Sequence, residues 1–162
     1  GIVLNQREID LMAERNATLV TTLSVSLGVA NIPNLPDWMA RKVKGSAEAH
    51  VRSIQMARKA GIRIALGTDY TNSPNSPFKN LGKEFSAMVR AGMTPMEAIR
   101  AGTINAAHLM LSEEETGSLE PGKLADVVLI EGNPLQDISV LADAEHVKLV
   151  LLNGKIVKHT VG

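Results

Sequence analysis

Asp69 is the residue whose place in the sequence best suits it to chemistry. It comes just after the apolar segment 62–67 and just before a polar loop. In a parallel α/β sheet or barrel, catalytic groups project from the carboxyl ends of the strands, and a carboxylate there can bind a metal ion or accept a proton from a metal-bound water. An aspartate at a strand end also commonly forms a turn or caps a helix, so Asp69 by itself supports both interpretations.

The loop that follows Asp69 is rich in groups that could hydrogen-bond a ligand. Residues 70–77 carry hydroxyl and amide side chains and no charged group, so they hold no arginine clamp for a carboxylate. Tyr70, Asn72 and Ser73 are the predicted substrate-binding residues, because loops at strand ends often carry binding residues. An ordinary surface loop stiffened by its two prolines fits the same composition.

Other patterns of catalytic or metal-binding residues are absent from the sequence. The four histidines, His50, His108, His146 and His159, form neither an i, i+4 pair for a helix nor an H-x-H pair for a strand. There is no G-x-S-x-G nucleophile elbow, no glycine-rich phosphate loop and no cysteine, and the last absence excludes thiolate zinc sites. Asp126 interrupts an apolar segment, where a hydrogen-bonded structural aspartate is the favoured interpretation.

The overall composition is that of a globular domain and narrows the range of partners. The chain has 162 residues, with 17 lysine and arginine residues balanced by 17 aspartate and glutamate residues. A general nucleic-acid binder needs a basic face, so nucleic acid is not an expected partner. No apolar run approaches the ~20 residues that span a bilayer, so no membrane partner is expected either. The sequence identifies no compartment, and the cytoplasm is the default.

Hydrophobic periodicity places Asp69 within an alternation of helices and strands. The predicted strands are residues 18–25 and 62–67, joined by a long helix that Asp37 caps and Gly61 ends. This strand–helix–strand order predicts a parallel pair with a helical crossover. Three further helices and one loop are predicted: a helix that begins at the cap Asn5, a helix over residues 81–91, a helix from the cap Thr94 to about Leu111, and a loop over residues 26–36.

After the last of these helices the pattern changes from mixed α/β to mostly β. The predicted strands of this second part are residues 124–130, 147–152 and 155–159. The dipeptide Asn153-Gly154 predicts a tight hairpin turn between the last two. We therefore expect an α/β part over residues 1–111 and a β part over residues 112–162.

Four segments, taken in order, resemble the carboxyl-terminal part of the metal-dependent amidohydrolase superfamily. They are Leu-Gly-Thr-Asp at 66–69, Gly-Met-Thr-Pro-Met-Glu-Ala-Ile at 92–99, the segment 101–107 with Thr103 and Asn105, and Gly-Ser-Leu-Glu-Pro-Gly-Lys-Leu-Ala-Asp at 117–126. The closing segment 149–155 is similar to a strand and turn of that family's small β domain. The resemblance is greatest to the imidazolonepropionase-like and Xaa-Pro dipeptidase (prolidase-like) branch.

The resemblance implies a fold and a role for Asp69. The family fold is a distorted (β/α)8 TIM barrel with a small β-sandwich domain, so residues 18–25 would form barrel strand seven and residues 62–68 strand eight. Asp69 would then be the strand-eight aspartate, which ligates the catalytic divalent metal ion, by default zinc, and shuttles a proton from the nucleophilic water to the leaving amine. The implied substrate is a small amide, dipeptide or cyclic amide.

The sequence lacks the family's other metal ligands. These are an H-x-H pair on strand one, often a carboxylated lysine on strand four, and histidines on strands five and six. One carboxylate cannot hold a catalytic metal ion against water. We therefore expect a piece of an enzyme or one chain of a split enzyme, inactive alone, that pairs with a missing amino-terminal half or with another copy in a homo-oligomer.

Two alternatives come from different functional classes. A non-catalytic α/β interaction module that needs a partner chain would form a specific complex but show no hydrolysis under any metal loading. A small nucleotide-binding domain is the weaker alternative, because the chain has no glycine-rich turn.

Overall fold

The computed structural model describes residues 3–71 and 78–160 as a mixed α/β arrangement. The helices of these residues are α1 (Gln6–Glu14), α2 (Leu23–Ala30), α3 (Asp37–Lys59), α4 (Lys83–Arg90), α5 (Pro95–Ala101) and α6 (Ile104–Leu109). The strands are β1 (Thr18–Thr21), β2 (Arg63–Leu66), β3 (Val127–Ile130), β4 (Val147–Leu152) and β5 (Lys155–His159), and short 3-10 helices cover Phe78–Asn80, Ile138–Ala142 and Ala144–His146. Within this described part, none of the helices has the length and apolar character that a bilayer crossing requires.

Strands β1 and β2 form a parallel pair, as the sequence predicts. Thr18 lies opposite Arg63 and Thr21 lies opposite Leu66. The crossover between them contains α2 and α3, since parallel neighbours need a long connection. Among residues 3–71 and 78–160, each of the two strands has a single neighbour, so each presents one open edge.

Strands β3, β4 and β5 form an antiparallel sheet with apolar residues exposed on both faces. The hairpin turn predicted at Asn153-Gly154 is confirmed, with φ values of 49° and 73° that match a tight left-handed turn. Val128 and Leu129 are 55% and 50% exposed, and neighbouring strand residues point to opposite faces. Both faces therefore carry apolar area that the described residues leave uncovered.

The main core lies between the parallel pair and the helices that flank it. Its members are buried apolar side chains of α1, β1, α2, α3, β2, α4 and α5, among them Ile9, Leu19, Leu23, Ile54, Ala57, Ile64, Met88 and Ala98. The long helix α3 supplies Ile54 and Ala57 to this core. Because β1 and β2 pair in parallel above this core, their carboxyl ends lie side by side.

One short helix of the second predicted part contacts the first part. The 3-10 helix Ile138–Ala142 packs against α4, and its Ile138 and Val140 are buried. The division at residue 112 stays a prediction.

Local sequence signals at two helix starts are confirmed. At α1, Asn5 Oδ1 accepts a hydrogen bond from the Glu8 amide at 3.1 Å, and the Glu8 carboxylate accepts one from the Asn5 amide at 2.7 Å. At α5, Thr94 and Glu97 make the same reciprocal pair, with Pro95 in the first helical position. The partners in each cap are only three positions apart, so the sequence alone predicts them.

The strand predicted over residues 18–25 is wrong in its second half. The loop predicted over residues 26–36 is wrong up to residue 30, while residues 31–36 do connect α2 to α3 as a loop. The strand ends at Thr21 and the helix α2 occupies Leu23–Ala30. The Thr22 side chain makes no capping hydrogen bond. Instead, the Glu84 carboxylate accepts hydrogen bonds from the amides of Leu23 and Ser24 at 2.9 and 2.7 Å. The side chain of Glu84, which belongs to α4 and is distant in sequence, thus caps the start of α2, although the β-branched residues just before it favour a strand.

Two smaller predictions about helix ends are also wrong. The helix predicted from Thr94 to about Leu111 is interrupted at Thr103, whose φ of −126° and ψ of −102° are not helical. Helix α5 ends at Ala101, and Gly102 is its C-terminal cap. Gly102 lies against Phe85, since a Cβ there would be 2.7 Å from the Phe85 ring. Asp37 is the first helical residue of α3 and not its cap, because Pro36 takes the cap position and no side chain caps this helix.

Asn105 ties α6 to the second strand of the parallel pair. Its Nδ2 donates a hydrogen bond to the Ile64 carbonyl at 2.9 Å, and Ile64 is buried. We expect Asn105→Ala to lower the free energy of unfolding by about 1–3 kcal/mol, because the buried carbonyl loses its partner. Asn31→Ala is the matched control, since Asn31 Nδ2 donates to the Leu27 carbonyl at an exposed site. If urea unfolding showed equal losses in the free energy of unfolding for the two variants, the Asn105–Ile64 hydrogen bond would not have the stabilising role expected of it.

Candidate functional site

Asp69 lies where the sequence places it, just past the carboxyl end of the parallel pair. The chain leaves β2 through Gly67, where an added Cβ would be 2.5 Å from Val20 Cγ1 and 3.0 Å from the Thr21 carbonyl oxygen. The close approach brings the ends of β1 and β2 together. Asp69 itself is exposed and has a φ of 54°, a left-handed conformation that aspartate tolerates better than most residues. The carboxylate is therefore presented to solvent at the strand ends.

The described residues supply one candidate ligand for a metal ion but not a complete set of ligands. Asp69 forms neither a hydrogen bond nor an ion pair through its carboxylate with residues 3–71 and 78–160, so both oxygens are free of those residues to act as ligands. Carboxylate oxygens are ordinary ligands for zinc and other divalent ions. Within the same residues, no group of three or more histidine, aspartate or glutamate side chains is positioned to hold an ion.

Tyr70 is the one predicted substrate-binding residue that can be located. It is half-buried, and its amide lies 3.4 Å from Thr68 Oγ1. Its side chain lines a cavity of about 700 Å³ between α2 and α4. Asn72 and Ser73 lie outside the described residues, so their assignment stays a prediction.

A buried polar group behind the strand ends was not predicted from the sequence. Glu84 is fully buried, and His50 is 2% exposed with its Nδ1 2.9 Å from Ser26 Oγ. Burial lowers the pKa of His50 below its ordinary value, and the nearby Glu84 carboxylate opposes part of that shift. Burial therefore favours the neutral form of His50. Because Glu84 is 61 residues from Leu23, no local pattern signals this group.

Asp126 has the structural role that the sequence favours. Its Oδ1 accepts a hydrogen bond from the Asn153 amide at 2.7 Å, which joins the start of β3 to the hairpin turn after β4. This carboxylate is therefore occupied in holding the antiparallel sheet.

Comparison with known proteins confirms the resemblance identified in the sequence. The sequence profile of the amidohydrolase family matches residues 3–157. The ochratoxinase of Aspergillus niger is 39% identical over 152 residues, which cover 92% of this chain and 31% of that protein. The imidazolonepropionase of Geobacillus kaustophilus is 41% identical over 99 residues, covering 60% of this chain and 23% of that protein. The chain thus spans about a third or less of the length of these relatives.

A solved structure shows that the similarity extends to the fold. The crystal structure of a Xaa-Pro dipeptidase with methionine bound in its active site superposes with a TM-score of 0.82 at 33% sequence identity. The match covers 98% of this chain and 38% of that one. A profile match over nearly the whole sequence and a shared fold lead to one conclusion: this chain belongs to the amidohydrolase family.

Proposed function

We propose that this chain supplies one side of the active site of a metal-dependent amidohydrolase that hydrolyses carbon–nitrogen bonds. The observation that carries the proposal is the exposed Asp69 carboxylate, unpaired with the described residues, at the carboxyl end of a parallel strand pair. Family membership favours this role over a non-catalytic interaction module. In this proposal β1 and β2 are the seventh and eighth strands of a (β/α)8 barrel.

Asp69 would both ligate the metal ion and carry a proton. A bound divalent ion, with zinc as the default, would polarise the substrate and lower the pKa of the attacking water. The Asp69 carboxylate accepts the proton that this water loses. The same group then gives the proton to the leaving nitrogen as the carbon–nitrogen bond breaks, so the carboxylate is regenerated. Tyr70 follows Asp69 directly in the sequence and would contact the substrate.

The remaining metal ligands would come from another polypeptide segment. We call the assembled enzyme this chain together with the segment that supplies those ligands, either an amino-terminal half or a partner subunit such as a second copy. Two features support such pairing: the open edges of β1 and β2, and the uncovered apolar faces of the β3–β4–β5 sheet. The chain by itself is expected to be inactive, because one carboxylate does not hold a catalytic ion.

Metal removal tests the proposal. The assembled enzyme is offered an Xaa-Pro dipeptide, an N-acyl amino acid and a cyclic amide, and product amine is measured before and after dialysis against a chelator. We expect hydrolysis of at least one substrate, a loss of about a hundredfold or more on metal removal, and recovery when Zn²⁺ is returned. Full activity without metal, or equal activity of the isolated chain, would contradict the proposal.

A further inference from the structure

We infer that the cavity between α2 and α4 binds a small organic anion, a carboxylate attached to an apolar body. The cavity measures about 700 Å³, within the range of small-molecule sites in proteins. The inference rests on the walls of this cavity and is independent of any catalytic role for Asp69.

One wall is a single face of α4. Lys83, Ser86, Ala87 and Arg90 line the cavity, and their spacing of three, four and seven residues places them on one side of the helix. The intervening Glu84 belongs to another face, since it is fully buried and its carboxylate is occupied by two amides of α2. The helix therefore presents its basic residues to the cavity and its acidic residue to the core.

The charge of the cavity is positive and uncompensated by the described residues. Lys83 and Arg90 are its two charged lining residues, and no aspartate or glutamate among residues 3–71 and 78–160 lines it. Neither cation forms an ion pair with any of those residues. Two cations that share a concave site attract an anion, and their N–H groups can donate charge-assisted hydrogen bonds to a carboxylate.

The wall of the cavity on the α2 side is mostly apolar, which indicates that the part of the ligand beyond its carboxylate is apolar. Val25, Leu27, Val29 and Ile32 line the same cavity. Val29 and Ile32 are 39% and 43% exposed, so a ligand that covered them would gain hydrophobic burial. An inorganic anion would use the cations but leave this wall bare, which is why we assign an organic carboxylate.

Calorimetric titration of the full chain with phenylacetate tests the inference. Phenylacetate combines a carboxylate with an apolar ring, phenylacetamide is its uncharged analogue, and inorganic phosphate is an anion without an apolar body. In a buffer of low salt without competing anions, we expect saturable binding of phenylacetate and at least tenfold weaker binding of the other two. Equal binding of phenylacetamide would show that the positive charges of Lys83 and Arg90 do not contribute to binding. Equal binding of phosphate would show that the apolar side chains of the cavity do not contribute to binding. The absence of saturable phenylacetate binding would overturn the proposed site.

Variants locate the binding in the cavity. Lys83→Met and Arg90→Met should each weaken phenylacetate binding about tenfold or more, whereas Lys44→Met, an exposed cation of α3, should not change it. Gly28 lines the cavity and an added Cβ has no atom within 4 Å, so Gly28→Leu should fold and block binding. Gly45→Leu is the matched control, in equally open space on α3. Unchanged binding in Gly28→Leu, or equal losses in both leucine variants, would overturn the assignment.

Discussion

Replacing Asp69 by asparagine is expected to lower the turnover of the assembled enzyme by about a thousandfold or more while leaving the fold intact. Asparagine matches aspartate in size, and it also tolerates the left-handed backbone that this position adopts at a φ of 54°. The variant therefore removes the negative charge and the proton-accepting oxygen with little backbone strain. Proton transfer by a positioned side chain commonly contributes 10²–10⁴-fold to a rate, and loss of a metal ligand adds to that effect.

Asp126→Asn is the matched control for this variant. Asp126 accepts a hydrogen bond from the Asn153 amide, and the amide oxygen of asparagine can accept the same bond, so turnover should stay within about twofold of the original. Turnover, bound metal per chain and thermal unfolding are measured for both variants. If Asp69→Asn kept more than a tenth of the original turnover, neither role proposed for Asp69 could stand.

The position of Asp69 could be predicted because its determinants are close in sequence. An apolar strand and the glycine that follows it lie within seven residues of the carboxylate. The partners in the reciprocal caps of α1 and α5 are three positions apart. The hairpin at Asn153-Gly154 is likewise set by the two residues that adopt positive φ. In each case the residues that determine the local structure and the residue that is positioned by it lie in one short segment of the sequence.

The walls of the cavity could not be predicted in this way. The sequence shows no cation in the polar loop after Asp69, yet the fold brings Lys83 and Arg90 to the cavity that Tyr70 lines. Helix α2, which forms the opposite wall, occupies residues that the sequence pattern predicts to end a strand and begin a loop. Its start depends on Glu84, which is distant in sequence and contributes only when α4 is packed in place. Long-range burial decides both features, and no local pattern encodes it.

Glu84→Ala should be among the most destabilising single substitutions in the chain. It would leave the Leu23 and Ser24 amides without their acceptor and open a cavity in the core. Each unsatisfied buried group costs about 1–3 kcal/mol, so we expect the free energy of unfolding to fall by about 3–5 kcal/mol. Glu48→Ala, at an exposed position of α3, is the control and should change it by less than about 0.5 kcal/mol.

Glu84→Gln keeps the test informative if the alanine variant does not fold. Glutamine retains one acceptor oxygen and loses the charge, so hydrogen exchange should accelerate at the Leu23 and Ser24 amides and remain unchanged at Glu8, whose cap is local. The pKa of His50 should fall further below its ordinary value, because the Glu84 carboxylate is the group that raises it. Nuclear magnetic resonance measures both effects. Unchanged exchange at the two amides would show that α2 begins at Leu23 for reasons of its own sequence, and that Glu84 does not determine where the helix starts.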